Sequence, residues 1–226
     1  MKVVLFGATG MVGQGVLREC LLAQDVSEVC VVGRTKLPAR TPSEPPRDKV
    51  REVTVDDVGE LGAVAGELAG ADAIFFCAGV SSAGMTEEAY TRVTYDLTLR
   101  AAKALLPASP GATFVYVSGA GTDASERGRT MWARVKGRTE NALLSLGYAR
   151  AFMFRPGLIQ PLDGIRAKTP LYRAAYVVLA PVVPVMRWLA PGLVTTTRSV
   201  GRAMLEVARK GADKTVLESA DIAAMG

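Results

Sequence analysis

The segment Gly7-Ala8-Thr9-Gly10-Met11-Val12-Gly13 follows a short apolar run, Val3 to Phe6, and opens a helical pattern, Gly13 to Leu22. No other feature constrains the chain as much. Gly7 permits a tight turn at a strand end, Gly10 lets a backbone approach a pyrophosphate, and Gly13 lets helix and strand pack closely. The helix beginning there turns backbone N–H groups and the positive end of its dipole toward the turn, which suits a phosphate. Residues Gly7, Ala8, Thr9, Gly10, Met11, Val12 and Gly13 therefore read as a dinucleotide cradle. A glycine-rich turn without function is the competing reading, and the order strand, turn, helix, strand argues against it.

Glu28 to Val32 supplies that next strand and closes a βαβ unit. Val50 to Val55, Ala73 to Cys77, Thr113 to Ser118 and Arg150 to Phe154 read as further strands. Helices are expected near Val58 to Leu68, Glu87 to Leu106 and Trp132 to Leu146. The alternation implies an α/β fold, a doubly wound parallel sheet of the Rossmann type. A length of 226 residues suits one domain, 1–226, with 158–226 forming a small C-terminal substrate-side lobe or lid. Leu37 to Lys49 holds four of the 12 prolines and reads as a surface loop. Tyr172 to Pro191 is nearly uncharged apart from Arg173 and Arg187, but Pro181 and Pro184 break it. It reads as an apolar helix pair roofing a pocket, with peripheral membrane contact as the alternative.

Composition removes several kinds of chemistry. The chain has no histidine, which excludes a Ser-His-Asp triad and histidine-based metal sites, and no metal-ligand spacing is present. A net charge of +5 spread among acidic residues, with no basic aromatic stripe, gives no support for nucleic-acid binding. Cys20, Cys30 and Cys77, odd in number and apolar in setting, read as reduced thiols. With no leader sequence evident before the first strand, a cytoplasmic protein is expected.

After the second strand comes Val31-Val32-Gly33-Arg34-Thr35-Lys36. An acidic residue there would bind the ribose hydroxyls of NAD, whereas Arg34 and Lys36 offer a guanidinium and an ammonium to a 2′-phosphate. The expected cofactor is NADP(H) rather than NAD. A solvated loop charge is the plainer reading of Arg34, and its position at the strand end favours the functional one.

The spacing G-x-x-G-x-x-G, set in this order of elements, resembles atypical or extended short-chain dehydrogenases/reductases of the NAD-dependent epimerase/dehydratase type. Within them the chain is similar to small oxidoreductases that include homologues of the HIV Tat-interacting protein. The resemblance covers most of the chain and is firm to about Gly157. It implies that Asp56, beside Val55, touches the adenine edge, with Asp57 as a competing helix cap. It also implies that Cys77-Ala78-Gly79-Val80 is the small-residue turn beneath the adenosine ribose, so Ala78 and Gly79 join the cofactor set.

Val117-Ser118-Gly119-Ala120-Gly121 resembles the family's strand end that presents a serine to nicotinamide and substrate, which makes Ser118 the catalytic candidate. Glycines and an alanine replace further hydroxyls, and Thr122 either compensates or caps a turn. In the family a tyrosine and a lysine lie four residues apart on one helix face. The lysine holds the nicotinamide ribose and lowers the phenol pKa so that the tyrosine can transfer a proton. Lys136 stands at the lysine position, and Trp132 occupies that of the tyrosine. Indole is a donor that does not exchange its proton at useful pH, so Trp132 would stack or shape the site. Asp123, Glu126 and Tyr90 are the candidate replacement acids. Thr94 stands where the family has an asparagine, and Tyr90 and Tyr95 read as helix packing. Arg155-Pro156-Gly157 resembles the turn at the nicotinamide amide, with Pro156 touching cofactor and Gly157, Leu158 and Ile159 lining the wall. Val194 to Thr197, followed by Val200 to Ala203, resembles the last substrate-side strand and helix. The resemblance implies a small carbonyl or hydroxyl substrate and a homodimer. The Trp132 substitution also leaves open a nucleotide-dependent sensor or interaction protein that has lost turnover.

Overall fold

The computed structural model describes residues 1–42, 44–165, 192 and 194–226. Strands β1 (Lys2–Phe6), β2 (Glu28–Gly33), β3 (Val50–Thr54), β4 (Ala73–Phe76), β5 (Thr113–Val117) and β6 (Arg150–Arg155) lie parallel, within about two residues of their expected limits. Beyond them β7 (Leu158–Gln160) and β8 (Val194–Thr196) pair as a separate two-stranded parallel ribbon. The last strand, β9 (Val216–Glu218), returns to the main sheet, whose order is β3-β2-β1-β4-β5-β6-β9.

The inner strands of a parallel sheet are covered on both faces, so β1, β4 and β5 are almost continuously buried, whereas the edge strand β3 exposes Arg51, Glu52 and Thr54. Val3 and Leu5 enter one core with Val16, Leu17, Val200 and Met204, while Val4 and Phe6 enter the other with Leu61, Leu68, Leu99 and Leu143. The strand order reverses at β1, between β2 and β4. At such a switch point the two crossovers leave in opposite directions and open a crevice at the C-terminal strand ends. Gly7, Ala78, Ser118 and Pro156 all follow strands at that edge.

The helices are α1 (Met11–Leu22), α2 (Ala65–Leu68), α3 (Glu87–Thr91), α4 (Leu97–Leu105), α5 (Met131–Leu144), α6 (Thr197–Lys210) and α7 (Ser219–Met225). A π-helical turn over Arg92–Asp96 joins α3 to α4. The helix expected near Val58 to Leu68 is reduced to Ala65–Leu68. Gly59 and Gly62 lower the helical propensity there, and the Asp57 carboxylate captures the Gly59 N–H at 2.8 Å, closing a turn instead of a helix.

Residues 197–226, assigned from sequence to a lid, largely complete the main sandwich, because α6 buries Val200, Met204 and Val207 in the core shared with β1 and β2. Its crossing with α1 is close. A Cβ on Gly15 would lie 2.5 Å from the Thr197 carbonyl, and one on Gly201 would lie 2.9 Å from Glu19 Cγ. Glu19 itself is buried and is paired with Arg18 and Arg202 across the two helices. The Tyr172 to Pro191 segment lies outside the described residues. Among those described, no helix is long and apolar enough to cross a membrane, and no cluster of acidic or sulfur ligands could hold a metal ion.

Candidate functional site

The phosphate turn is built from close backbone approaches. Gly7 has φ +77°, and a Cβ on it would stand 2.6 Å from the Ala78 nitrogen, so β1 and β4 meet there without room for a side chain. A Cβ on Gly13 would lie 2.1 Å from the Gly7 carbonyl oxygen, while one on Gly10 would lie at 3.3 Å from the same atom. The Gly10 N–H donates to that oxygen at 2.8 Å, and the Gln14 side chain braces the turn by donating to the Thr9 carbonyl. α1 begins at Gly10 with no side-chain cap and no acidic residue in its first turn. Its leading N–H groups therefore face the crevice with positive potential and no competing carboxylate, which fits a pyrophosphate.

At the β2 end, Arg34 and Lys36 are exposed and make no hydrogen bond or ion pair among the described residues. Across the crevice Asp56 is exposed after β3. Asp57 takes the structural role, accepting from Gly59 and from Arg100 Nη2 at 2.9 Å. These bonds hold its carboxyl below the usual carboxylate range, with Arg34 adding a weaker pull. Nothing would obstruct a side chain at Gly79 within 4 Å, so of the Ala78-Gly79 pair it is the backbone at Ala78 whose approach is tight.

The β5–α5 edge differs from the expectation at Ser118. This hydroxyl is buried and turned away from the crevice, within 2.5 Å of Glu140 Oε1 and 3.1 Å of the Phe154 carbonyl. While held there, the hydroxyl has its proton committed to Glu140. The Ser118 carbonyl accepts from Lys136 Nζ. A Cβ on Gly119 would lie 4.0 Å from that Nζ, and one on Gly121 would lie 3.6 Å from Trp132 Cη2. The glycines replacing the family's hydroxyls therefore form a bare shelf shared by Lys136 and Trp132. Burial pulls the Lys136 ammonium down to about 8, partly opposed by the Glu140 carboxylate.

Glu140 was not singled out from sequence, yet it organises this edge. It is 1% exposed and takes a fork from Arg155, with Nε at 3.0 and 3.2 Å and Nη2 at 2.5 Å. Arg155 Nη1 continues to Glu218 at 3.1 Å, tying β6 to the end of β9. The Arg155-Pro156-Gly157 turn is thus anchored by its arginine, and the Pro156 carbonyl accepts the Ala120 N–H at 2.9 Å, stitching it to the glycine shelf. One signal in the sequence pointed to Glu140: a carboxylate one turn beyond Lys136 on the buried helix face.

The proposed replacement acids are otherwise engaged. Asp123 accepts from Ser125 Oγ at 2.6 Å and from the Gly128 N–H, bonds that hold its carboxyl below the usual range and make it a poor proton donor at neutral pH. Glu126 has φ +61° and accepts from Asn141 Nδ2. Thr122 caps a turn by donating to the Gly119 carbonyl. Tyr90 is buried near Tyr116, and the Tyr95 ring lies 4.3 Å beneath the Arg138 guanidinium. Thr94 is buried in the π-helical turn. Gly137 admits the Asp123 loop against α5, since a Cβ there would lie 1.8 Å from the Asp123 carbonyl oxygen.

A family model described as NAD dependent epimerase/dehydratase matches residues 3–129, ending just before Trp132. The protein fmp52, mitochondrial, of Emericella nidulans is 31% identical over 164 residues, covering 70% of this chain and 66% of that protein. HTATIP2 of Rattus norvegicus is 31% identical over 158 residues, covering 70% of this chain and 62% of its own. The chain thus spans slightly less than two-thirds of these relatives. Among solved structures, the Bordetella bronchiseptica enzyme WbmF in complex with NAD+ aligns with TM-score 0.68 at 18% identity, covering 99% of this chain and 76% of that one. A short-chain dehydrogenase of Burkholderia cenocepacia in complex with NADP aligns with TM-score 0.66 at 20% identity, covering 99% and 91%. These likenesses match the doubly wound fold. The cytoplasmic expectation is withdrawn, because several fungal relatives carry mitochondrial names.

Proposed function

The chain belongs to the NAD-dependent epimerase/dehydratase family, and from that premise we propose an NADP(H)-dependent oxidoreductase acting on a small carbonyl or hydroxyl compound. The observation that carries the reading is the approach of Lys136 Nζ to the bare Gly119–Gly121 shelf at the crevice edge. The Gly7–Gly13 turn and the α1 N-terminus would hold the pyrophosphate, Arg34 and Lys36 the 2′-phosphate, and Asp56 the adenine edge. The Ala78-Gly79 backbone would lie along the adenosine ribose and Pro156 near the amide. Once bound, the nicotinamide supplies hydride chemistry. Lys136 then orients the nicotinamide ribose, and Trp132 walls the shelf and excludes water. No phenol stands beside Lys136, so the proton for a substrate oxygen reaches the shelf from Lys136 or from solvent.

The test is NADPH consumption with a broad panel of aldehydes and ketones. Turnover by wild type, reduced about 100-fold or more in Lys136→Ala, is expected. A second reading, a cofactor-bound sensor without turnover, is favoured by Trp132 and by the commitment of the Ser118 hydroxyl to Glu140. It predicts NADPH binding with no consumption of NADPH by any compound of the panel.

A further inference from the structure

We propose that Glu140 is a positioning residue for Lys136, acting through Ser118, and that it keeps the Lys136 side chain charged and directed at the glycine shelf. The proposal rests on the reading of Lys136 as the ribose-holding residue. Ser118 is gripped on both its oxygens by residues one turn apart on α5: its carbonyl accepts from Lys136 Nζ, and its hydroxyl donates to Glu140 at 2.5 Å. Moving Glu140 therefore moves the peptide to which the ammonium is tied.

The charges around this peptide form a closed set. Glu140 faces Lys136 from the same helix, and Arg155 on β6 meets Glu140 through its two-pronged contact and Glu218 through its third nitrogen. Two carboxylates and one guanidinium leave one negative charge, which the Lys136 ammonium balances. The Gly119 backbone, where a Cβ would lie 4.0 Å from Nζ, carries no charge, and Glu140 is the charged group that acts on the ammonium. A carboxylate buried as deeply as Glu140 costs several kcal/mol unless it is paired, and its position here meets that cost while holding a cation at the active edge. In the family scheme the lysine's charge serves a phenol. With Trp132 in that place, the group that answers to the lysine is Glu140.

The opposing influences on Lys136 fix the direction of the effect. Burial lowers the ammonium and Glu140 raises it, and burial prevails, leaving it at about 8. Removing the negative charge leaves burial unopposed, so the amine loses its proton at lower pH and the ribose contact is lost with it.

The experiment uses the full chain. The pH dependence of acetic anhydride labelling at Lys136, read by peptide mass spectrometry, reports the amine directly in protein free of nucleotide. NADPH affinity between pH 6 and pH 9 reports its consequence. In Glu140→Gln the labelling midpoint should fall by about one pH unit, and NADPH affinity at pH 8 should fall severalfold. Glu140→Gln/Arg155→Met, which strands no guanidinium, should shift the midpoint in the same direction by a smaller amount, because a nearby positive charge is lost as well, and it secures the test if the single variant fails to fold. Ser118→Ala keeps the charge and loses the link, so it should weaken NADPH binding with little change of midpoint. A folded Glu140 variant with wild-type midpoint and affinity profile overturns the proposal. Failure of wild type to bind NADPH overturns the cofactor reading instead, and the labelling result still decides the role of Glu140.

Discussion

The phosphate turn and the β5–α5 edge stand at the same end of one sheet, yet they are built differently. The turn is backbone against backbone, with Gly7, Gly10 and Gly13 within a single stretch of chain and no titrating group in the cradle. The β5–α5 edge is a network of side chains whose members are far apart in sequence. Ser118 and Glu140 are 22 residues apart, and Arg155 and Glu218 are 63 apart. A backbone site tolerates almost no substitution at its few tight positions but is indifferent to pH. A side-chain network tolerates exchange at a position such as Trp132 and responds to protonation of its members.

The largest effect should therefore come from Gly13→Ala. The new Cβ would meet a carbonyl oxygen at 2.1 Å, and backbone on both sides leaves no flexible side chain to yield. We expect a stability loss of about 3 kcal/mol, as for severe overpacking, and NADPH affinity lowered about 100-fold or more, roughly 2.7 kcal/mol. Urea unfolding and a nucleotide fluorescence titration measure the two. Near-wild-type binding would break the contrast, because it would show that the turn can relax.

Next in size is a gain rather than a loss. Trp132→Tyr places a phenol one helical turn from Lys136, whose positive charge favours the phenolate. Turnover with a carbonyl substrate should rise on the order of 100-fold, the range general acid catalysis supplies, while NADPH affinity changes less than about threefold, equivalent to ~0.6 kcal/mol. Initial rates and nucleotide titration separate the two quantities. Unchanged turnover would mean that proton supply does not limit the reaction, and the division between an intact cofactor side and an altered proton side would fall.

The same division explains what the sequence revealed. The inner strands β1, β2, β4 and β5 were legible because buried parallel strands are near-continuous apolar runs, and the phosphate turn because most of its contacts lie within a few residues. β7 and β9 are three residues each, too short for a period to show, and β9 takes its place through its ladder with β6 and the burial of Leu217, contacts distant in sequence. The hydrogen bonds of Ser118 were not legible. Which way a hydroxyl turns at a strand end depends on Glu140 and the Phe154 carbonyl, supplied by other elements. The helical spacing of apolar residues over Val58 to Leu68 was similarly overridden, by Gly59 and Gly62 and by a local competitor, the Asp57 carboxylate capturing the Gly59 N–H.

Arg34 gives the smallest and most selective test, because the proposed function assigns it to the cofactor through its side chain. It is exposed, has no fixed partner among the described residues, and exerts only a weak pull on Asp57. Arg34→Ala should thus leave stability within about 0.5 kcal/mol of wild type. NADPH affinity should fall about tenfold, ~1.4 kcal/mol, as a charge-assisted contact to a 2′-phosphate is lost. NADH affinity should not change, since that nucleotide has no such phosphate. The NADPH advantage of wild type should shrink with added salt, because an exposed guanidinium is screened. Parallel titrations of NADPH and NADH at two salt concentrations measure all of this. An unchanged preference in Arg34→Ala would move cofactor choice to Lys36 or to the Asp56 edge, leaving the backbone turn as a holder of pyrophosphate that is blind to which nicotinamide cofactor it carries.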